Sequence, residues 1–353
     1  MKTKKILDNI ETLAKDEELT KEQVLEAFEK SLISGCKKHC QVKSCRLTFN
    51  KNYEEYSLYK EYLVTNSDNV IEENENIDYK KITTINLEEA RKIKKNAKIG
   101  DIIQIEVDPK QFNFYACKDL KNKLNEEIIK FKRENIYNFF KNYENKLISG
   151  KIISINEKFF TLELEKQTQA LLLKKETLKN DNFSLNERIQ VYVIEVQKTN
   201  KLPKIFISRT HVNYVLEIFK EVIPEIQEGL IEIISIAREP STRVKIGLLS
   251  RNPDIDAVGS CIGEKSNRIK NITKILKGEK IDLFLWSDDP KKLINNALQP
   301  AKINEIQIID LDKKIASVLI DKEQFSLAIG KSGNNIRLAT QVTKWNITLD
   351  KNV

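Results

Sequence analysis

The sequence has 353 residues, a length that favours two to four domains. Hydrophobic residues make up 40% of it and charged residues 32%, as in soluble globular proteins with packed cores, and the formal net charge is +8. No apolar run approaches membrane-spanning length, and the charged start, Met1–Lys5, lacks the apolar stretch of a secretion signal. We therefore expect a cytoplasmic protein that binds no membrane. A positive surplus this small permits a polyanionic partner without requiring one.

The first part of the chain, residues 1–145, is predicted to combine helices with a small sheet. Thr20 and Gln23 match the capping box that begins a helix, and apolar residues at helical spacing follow them. The remaining patterns predict a helical segment over 1–40, strands over 44–49 and 58–64, an exposed acidic loop over 66–80, a turn that ends the segment 100–109, and a long charged helix over 116–145.

Cysteine usage gives no sign of a disulfide framework. The chain has five scattered cysteines, an odd number that fits a reducing compartment: Cys36, Cys40, Cys45, Cys117 and Cys261. The first three lie close to His39 in sequence, so a metal site is conceivable. However, Cys36 falls on the apolar stripe of the predicted helix, and no paired C-x-x-C knuckle is present. We therefore expect buried free thiols, without a metal or another cofactor.

Residues 146–210 change to the two-residue period of strands. Five short apolar or alternating runs follow one another over 149–155, 160–164, 170–173, 188–196 and 204–208. This number of strands in so short a stretch is typical of an OB-fold barrel, which often binds single-stranded nucleic acid. Phe159 and Phe160 lie beside a turn, where a ring can stack on a base. Alternatively, one ring belongs to the core and the other to the surface.

A glycine loop near the end of the chain carries the strongest functional signal. Gly330 and Gly333 lie between two apolar helical runs, so the backbone can turn sharply there and come close to a ligand. The N-terminus of the second helix favours an anion, and a phosphate of a nucleic-acid backbone suits that position. A helix–GxxG–helix unit that clamps about four nucleotides is the KH module.

Two other interpretations of this loop have to be considered. Gly330-Lys331-Ser332 resembles the end of the nucleotide-binding loop G-x-x-x-x-G-K-[ST]. That pattern requires a glycine five positions before Gly330, where Phe325 stands, so the interpretation fails. A GxxG sequence can also do no more than join two core helices.

A second copy of the loop argues for function. Residues 262–269 align without gaps with residues 329–336, at an offset of 67 positions, and the predicted helices and strands around both loops follow the same order. The first copy has Ser266 where the second has Gly333. Serine can cap a helix, but its side chain limits how closely a ligand backbone approaches. We therefore expect the first loop to bind RNA less tightly than the second, or in a different way.

The predicted RNA-binding residues are those of the two loops together with polar and basic residues that follow them. A charge run on a helix is usually only solvated, but beside a phosphate-binding loop it extends the electrostatic track. In the second copy the residues are Gly330, Lys331, Ser332, Gly333, Asn334 and Arg337. In the first copy they are Gly263, Glu264, Lys265, Ser266, Arg268 and Lys270.

Several longer stretches match one family. They are Ser208–His211, Val222–Ile226, Ala237–Pro240, Asp256–Gly259, Gly278–Asp282, Trp286–Pro290, Ala297–Ala301 and Gln324–Lys331, together with Leu87–Arg91 and Gly100–Asp101 near the start. Through these stretches the chain resembles the NusA family of bacterial transcription elongation, termination and antitermination factors. It departs from the family at Ser266 and at Ser241, where the family favours glycine.

The resemblance implies a multidomain α+β fold. An N-terminal RNA-polymerase-binding domain of helices and sheet (1–145) would precede a five-stranded OB-fold barrel (146–210) and two tandem prokaryotic-type (type II) KH domains (211–290 and 291–353). It also adds Arg243 and Lys245 to the RNA-binding residues. The implied protein is a non-enzymatic monomer that docks on RNA polymerase and holds nascent single-stranded RNA. It would modulate pausing, termination and antitermination, and other antitermination factors are further expected partners.

Two other functions are also compatible with the sequence. KH and OB modules also accompany RNA-processing enzymes, but residues 1–146 contain no complete phosphate-binding loop and no H-E-x-x-H motif. His39 and His211 are the only histidines, which leaves little scope for histidine acid–base chemistry. The other possibility is a free-standing RNA chaperone that never contacts polymerase.

Overall fold

The computed structural model describes residues 4–49, 56–65 and 81–351. The chain divides into two units, residues 1–138 and 139–353. Among the helices in the described ranges, none is both long enough and apolar enough to cross a membrane. The acidic loop predicted over residues 66–80 lies outside the described residues.

The first unit contains helices and a four-stranded sheet. The helices are α1 (Lys4–Asp16), α2 (Lys21–Cys40), α3 (Leu87–Ile93) and α4 (Phe114–Lys141, which continues into the second unit), and the strands are β1 (Cys45–Phe49), β2 (Tyr56–Thr65), β3 (Thr83–Asn86) and β4 (Ile102–Glu106). Strand β2 pairs antiparallel with β1 and β4 and parallel with β3. The predicted helices and strands are confirmed. The sequence did not predict β3, β4 and α3, because elements of four, five and seven residues are too short for a clear period.

The capping box at the start of α2 forms as predicted. Oγ1 of Thr20 accepts a hydrogen bond from the N–H of Gln23 at 3.2 Å, and Oε1 of Gln23 accepts one from the N–H of Thr20 at 3.1 Å. Further along α2, Gly35 allows α4 to approach closely, since a Cβ there would lie 3.0 Å from the Phe112 ring and 3.2 Å from Cβ of Leu120. These contacts fix the start of α4 against α2.

The cysteines are free thiols in different environments. Cys36, Cys45 and Cys261 are buried, as the apolar pattern predicted for Cys36, whereas Cys40 is half-buried and Cys117 is exposed. Burial raises the pKa of the Cys261 thiol to about 12, so this thiol is unreactive at neutral pH. Within the described ranges, no group of three or more His, Cys, Asp and Glu side chains is placed to hold a metal ion.

The second unit begins with the barrel that the strand pattern predicted. Its strands are β5 (Leu147–Ile155), β6 (Phe159–Glu163), β7 (Gln169–Leu173), β8 (Arg188–Gln197) and β9 (Lys204–Ser208), and they close in the order β5-β6-β7-β9-β8. Inward side chains such as Ile152, Leu162 and Leu172 are fully buried. Gly150 also faces this core, where a Cβ would lie 2.7 Å from a methyl carbon of Leu164.

Two repeats of one α–β–β–α–α–β unit follow the barrel. The first contains α5 (Val212–Val222), α6 (Pro224–Gln227), β10 (Ile231–Glu239), β11 (Arg243–Ser250), α7 (Ala257–Ile262), α8 (Asn267–Ile275) and β12 (Lys280–Leu285). The second contains α9 (Pro290–Leu298), β13 (Glu305–Asp310), β14 (Ile315–Ile320), α10 (Lys322–Ile329), α11 (Asn334–Thr343) and β15 (Asn346–Lys351). In both sheets the central strand pairs antiparallel with the first strand and parallel with the last. The predicted repeat and the KH topology are confirmed, and the short helix α6 is an addition of the first repeat.

The two repeats share a core. Helix α11 of the second repeat packs against β10 and β11 of the first, and Ala237 and Phe284 of the first repeat belong to the apolar cluster of the second. The glycine loop of the second repeat leads directly into α11. The sheet of the first repeat therefore supports the loop of the second.

Candidate nucleic-acid interface

Both loops adopt the same backbone conformation. Gly263 has φ 75° and ψ 170°, and Gly330 has φ 73° and ψ 172°. This combination lies in a region that side chains rarely enter. At Gly330 a Cβ would also lie 2.8 Å from Cβ and 2.9 Å from the backbone nitrogen of Asn335. Glycine is thus required at the first position of each loop for two reasons, conformation and space.

The fourth position of the loop tolerates serine sterically. Ser266 (φ 62°) and Gly333 (φ 74°) are both left-handed, and a Cβ at Gly333 would meet nothing within 4 Å. Serine before a helix often caps it by accepting a hydrogen bond from a backbone N–H of the first turn. The Ser266 side chain makes no such hydrogen bond, so it does not cap α8. The reason is its left-handed backbone, since capping residues are typically extended.

Because Ser266 occupies a glycine conformation, Ser266→Gly should stabilise the protein. We expect the free energy of unfolding to rise by about 0.5–1 kcal/mol, measured by urea denaturation. The matched variant Gly333→Ser should lower it by a similar amount. A Ser266→Gly protein no more stable than the parent would contradict the assignment of strain to this residue.

Behind each loop, one side chain binds the end of the preceding helix. Nη1 of Arg268 donates to the carbonyl oxygen of Ser260 at 2.8 Å, and Nδ2 of Asn335 donates to those of Leu327 and Ala328 at 3.3 and 3.2 Å. Arg268 and Asn335 occupy the same position of the repeat. These two residues brace the loops from inside.

This bracing changes the role of Arg268 and adds a residue that the sequence analysis missed. The guanidinium of Arg268 donates to both carboxylate oxygens of Glu225, at 2.8 and 2.9 Å, and this contact lowers the pKa of Glu225. The charge of Arg268 is therefore already balanced within the protein. The missed residue is Asn335, which is buried. Its sequence context resembles that of an ordinary polar residue, but its alignment with Arg268 indicates a shared position in the repeat.

The exposed groups of the second loop are Lys331 and Ser332, in the turn just before the start of α11. One turn later, Nη2 of Arg337 donates to Oδ1 of Asn334 at 2.8 Å and lies 2.8 Å from a carboxylate oxygen of Glu239 in the first repeat. The second loop thus combines an exposed ammonium, a hydroxyl and a helix N-terminus, which together can hold a phosphate.

The first loop has a different charge. Glu264 stands where the second loop has Lys331, and both Glu264 and Lys265 are exposed. Lys270 reaches back so that its ammonium donates to the carbonyl of Lys265 at 3.1 Å. A carboxylate at the mouth of the loop repels phosphate. This is a second reason, beside Ser266, to expect weaker binding at the first loop.

Of the two strand residues added by the resemblance, Lys245 does not face solvent. It is 1% exposed, and its ammonium donates to the carbonyl oxygen of Ala297 in the second repeat at 2.7 Å. Burial lowers the pKa of Lys245. Its position between the repeats corrects the expectation of an RNA contact. Arg243 is partly exposed and donates to a carboxylate oxygen of Asp282 at 3.0 Å.

The barrel presents an apolar surface on β6, β7 and β9. Phe160 is buried against Phe183, with ring centroids 5.4 Å apart, while Phe159 is half-buried, so one ring is core and the other is surface. Exposed residues on the next two strands of the barrel include Leu171 and Phe206, which are cross-strand partners with exposed fractions of 50% and 43%. The sequence analysis missed these two, although their alternation within each strand pointed outward.

Comparison with known proteins gives matches over both units. The pattern of the NusA N-terminal domain matches residues 5–134, that of the NusA-like first KH domain matches residues 209–286, and that of the NusA-like second KH domain matches residues 290–352. Together these patterns cover most of the chain.

Whole proteins are also similar to this chain over most of its length. The transcription termination/antitermination protein NusA of Bacillus subtilis is 35% identical over 347 residues, which is 98% of this chain and 90% of that protein. The protein of the same name from Halalkalibacterium halodurans is 35% identical over 97% of this chain and 87% of its own length. The one from Thermus thermophilus is 35% identical over 76% of this chain and 69% of its own length. With the described repeats, barrel and loops, these matches mean that the chain belongs to the NusA family.

Proposed function

We propose that the protein is an RNA-binding transcription factor that docks on RNA polymerase and holds nascent single-stranded RNA. In this proposal residues 1–145 contact the polymerase, the barrel (146–210) and the two KH domains (211–290 and 291–353) hold the transcript, and the complex modulates pausing, termination and antitermination. The observation that carries the proposal is the pair of glycine loops with one backbone conformation, each opening onto a helix N-terminus.

Within the RNA-binding part, we assign different tasks to the sites. Lys331 and Ser332 hold a phosphate most strongly, and the first loop contributes a weaker contact. The apolar barrel surface with Phe159 and Phe206 offers rings on which bases can stack without sequence preference. Other antitermination factors would join the same complex as further partners.

The two histidines of the chain, His39 and His211, are both engaged in contacts within the protein. Nδ1 of His211 accepts a hydrogen bond from the N–H of Asn213 at 3.2 Å, and its ring stacks on Tyr192 with centroids 4.9 Å apart. Burial lowers the pKa of His211. Nδ1 of His39 accepts from the N–H of Asn113 at 3.3 Å. Both histidines thus serve local structure, and we propose that the protein catalyses no reaction.

The proposal is tested with purified core polymerase and an elongation complex stalled on a transcript that carries photoreactive uridines. We expect the full chain to bind core polymerase without RNA, and irradiation to attach the transcript to the peptide that spans residues 329–337. Binding to RNA without binding to polymerase would favour the free-standing chaperone. Shortening of the transcript would favour the processing enzyme.

A further inference from the structure

The C-terminal end of α9 binds side chains from both repeats. The last carbonyl groups of a helix lack partners within it, and the helix dipole makes this end negative. The ammonium of Lys245, on β11 of the first repeat, donates to the carbonyl oxygen of Ala297 at 2.7 Å and lies 3.5 Å from that of Gln299. Between them, the carbonyl oxygen of Leu298 accepts a hydrogen bond from Nδ2 of Asn335 at 3.0 Å. The end of α9 therefore connects a buried lysine of the first repeat with the residue that braces the second loop.

The amide of Asn335 is oriented by its nitrogen. Besides the carbonyl of Leu298, Nδ2 contacts those of Leu327 and Ala328 in the last turn of α10, directly before the second loop. Within the described part of the chain, Oδ1 of Asn335 is buried and accepts no hydrogen bond. A buried acceptor without a donor costs free energy. This orientation is therefore maintained by the three carbonyl groups around the nitrogen, and one of them belongs to α9.

The first loop is braced within its own repeat. Arg268 stands in the position of Asn335, and its guanidinium pairs with Glu225 of α6, the helix that distinguishes the first repeat. The second loop depends instead on the end of α9, and that end is bound by a side chain of the first repeat. Helix α11, which carries Asn335, also packs against β10 and β11 of the first repeat. A change on β11 should therefore reach the second loop and leave the first loop as it is.

We propose that Lys245 is a positioning residue for the second loop, which it stabilises through the end of α9 and Asn335 without contacting RNA. Lys245 is 1% exposed, so RNA cannot reach it from solvent. Asp282 lies 3.5 Å from its ammonium but also accepts from Arg243 at 3.0 Å, so this carboxylate keeps a partner when Lys245 is replaced. The proposal rests on the proposed function, because it concerns RNA bound at the second loop.

The test is a double-mutant cycle in the full chain, measured by fluorescence anisotropy with a labelled single-stranded oligoribonucleotide. Lys245→Met should weaken RNA binding about tenfold, because the carbonyls of α9 lose their donor and the brace of the second loop shifts. In a protein that already carries Lys331→Asp and Ser332→Asp, the same substitution should change the affinity by less than about twofold, since the loop through which it acts no longer binds. Lys245→Gln keeps a donor and should weaken binding less than Lys245→Met.

Hydrogen exchange measures the positions of the loops without RNA. Lys245→Met should speed the exchange of the backbone amides over residues 327–334 and leave those over residues 260–267 unchanged. The matched control is Ile218→Val, which removes one methyl group from the buried core of the first repeat, on α5. This control lowers stability without a change at α9, so its RNA affinity should equal that of the parent protein.

The outcomes separate this proposal from the function on which it rests. An equal loss from Lys245→Met in both backgrounds, or no loss in the parent protein, would overturn the positioning role while RNA binding at the second loop stands. If the two aspartates alone leave RNA affinity unchanged, the second loop is not the binding site, and this inference fails together with that assignment. If Lys245→Met does not fold, the same cycle with Lys245→Gln decides the question, and equal losses in both backgrounds again overturn the proposal.

Discussion

Replacing Lys331 and Ser332 together by aspartate should weaken the binding of single-stranded RNA by roughly a hundredfold at moderate salt. The double variant removes one exposed ammonium and places two carboxylates at the N-terminus of α11, where the proposal puts a phosphate. Like charges at contact distance repel strongly there, because the protein surface screens them less than bulk water does. The measurement is a fluorescence anisotropy titration with a labelled oligoribonucleotide at several salt concentrations.

The salt dependence of binding, the variant Lys265→Asp and the thermal stability serve as controls for this prediction. The slope of log affinity against log salt should become shallower in the double variant, since fewer counterions are released when a phosphate contact is lost. Lys265→Asp in the first loop should have a milder effect, because Glu264 already opposes a phosphate there. Both side chains of the double variant are exposed, so the thermal midpoint should move by no more than a few degrees. Unchanged RNA affinity in the double variant would remove the second loop from the interface, and an equal loss from Lys265→Asp would refute the ranking of the loops.

The features that the sequence predicts correctly are those that depend on residues close together in the chain. Thr20 and Gln23 specify a capping box by their spacing alone, and the structure forms it. The strands of the barrel alternate between core and solvent, so their period was visible without knowledge of their partners. The repeat was found because two segments 67 positions apart align without gaps and share an isoleucine, a glycine, an asparagine and a second isoleucine at matching positions. The two loops have the same conformation.

What the sequence could not predict depends on contacts between distant segments. Lys245 looks like any basic strand residue, and only the approach of the second repeat turns it into a buried donor to the carbonyl of Ala297. Arg268 looks like a phosphate ligand beside a glycine loop, and only the position of Glu225 shows that its charge is balanced. Strand β3 is identified by its parallel pairing with β2, which a four-residue segment does not reveal.

Arg238→Met should lower the free energy of unfolding of the second unit by about 3–5 kcal/mol, because it leaves the Glu279 carboxylate buried without its partner. The side chains of Arg238 and Glu279 are 1% and 0% exposed, and two hydrogen bonds of 2.8 and 2.9 Å join them. Nη1 of Arg238 also donates to the carbonyl oxygens of Arg209 and His211, the residues that connect the barrel to the first KH domain. Loss of this arginine therefore affects both the fold and the junction.

Restoring neutrality should recover much of that loss. The double variant Arg238→Met with Glu279→Leu contains no buried charge at this site, so we expect it to unfold at a higher urea concentration than Arg238→Met alone. The matched control is Arg251→Met, which removes an exposed ion pair with Glu232 in the same repeat and should change stability by less than about 1 kcal/mol. If Arg238→Met proved as mild as Arg251→Met, the buried pair would not hold the barrel to the first KH domain. A double variant less stable than the single one would mean that the contacts of Glu279 with the backbone, such as the 3.1 Å hydrogen bond from the N–H of Ser241, outweigh the unpaired charge.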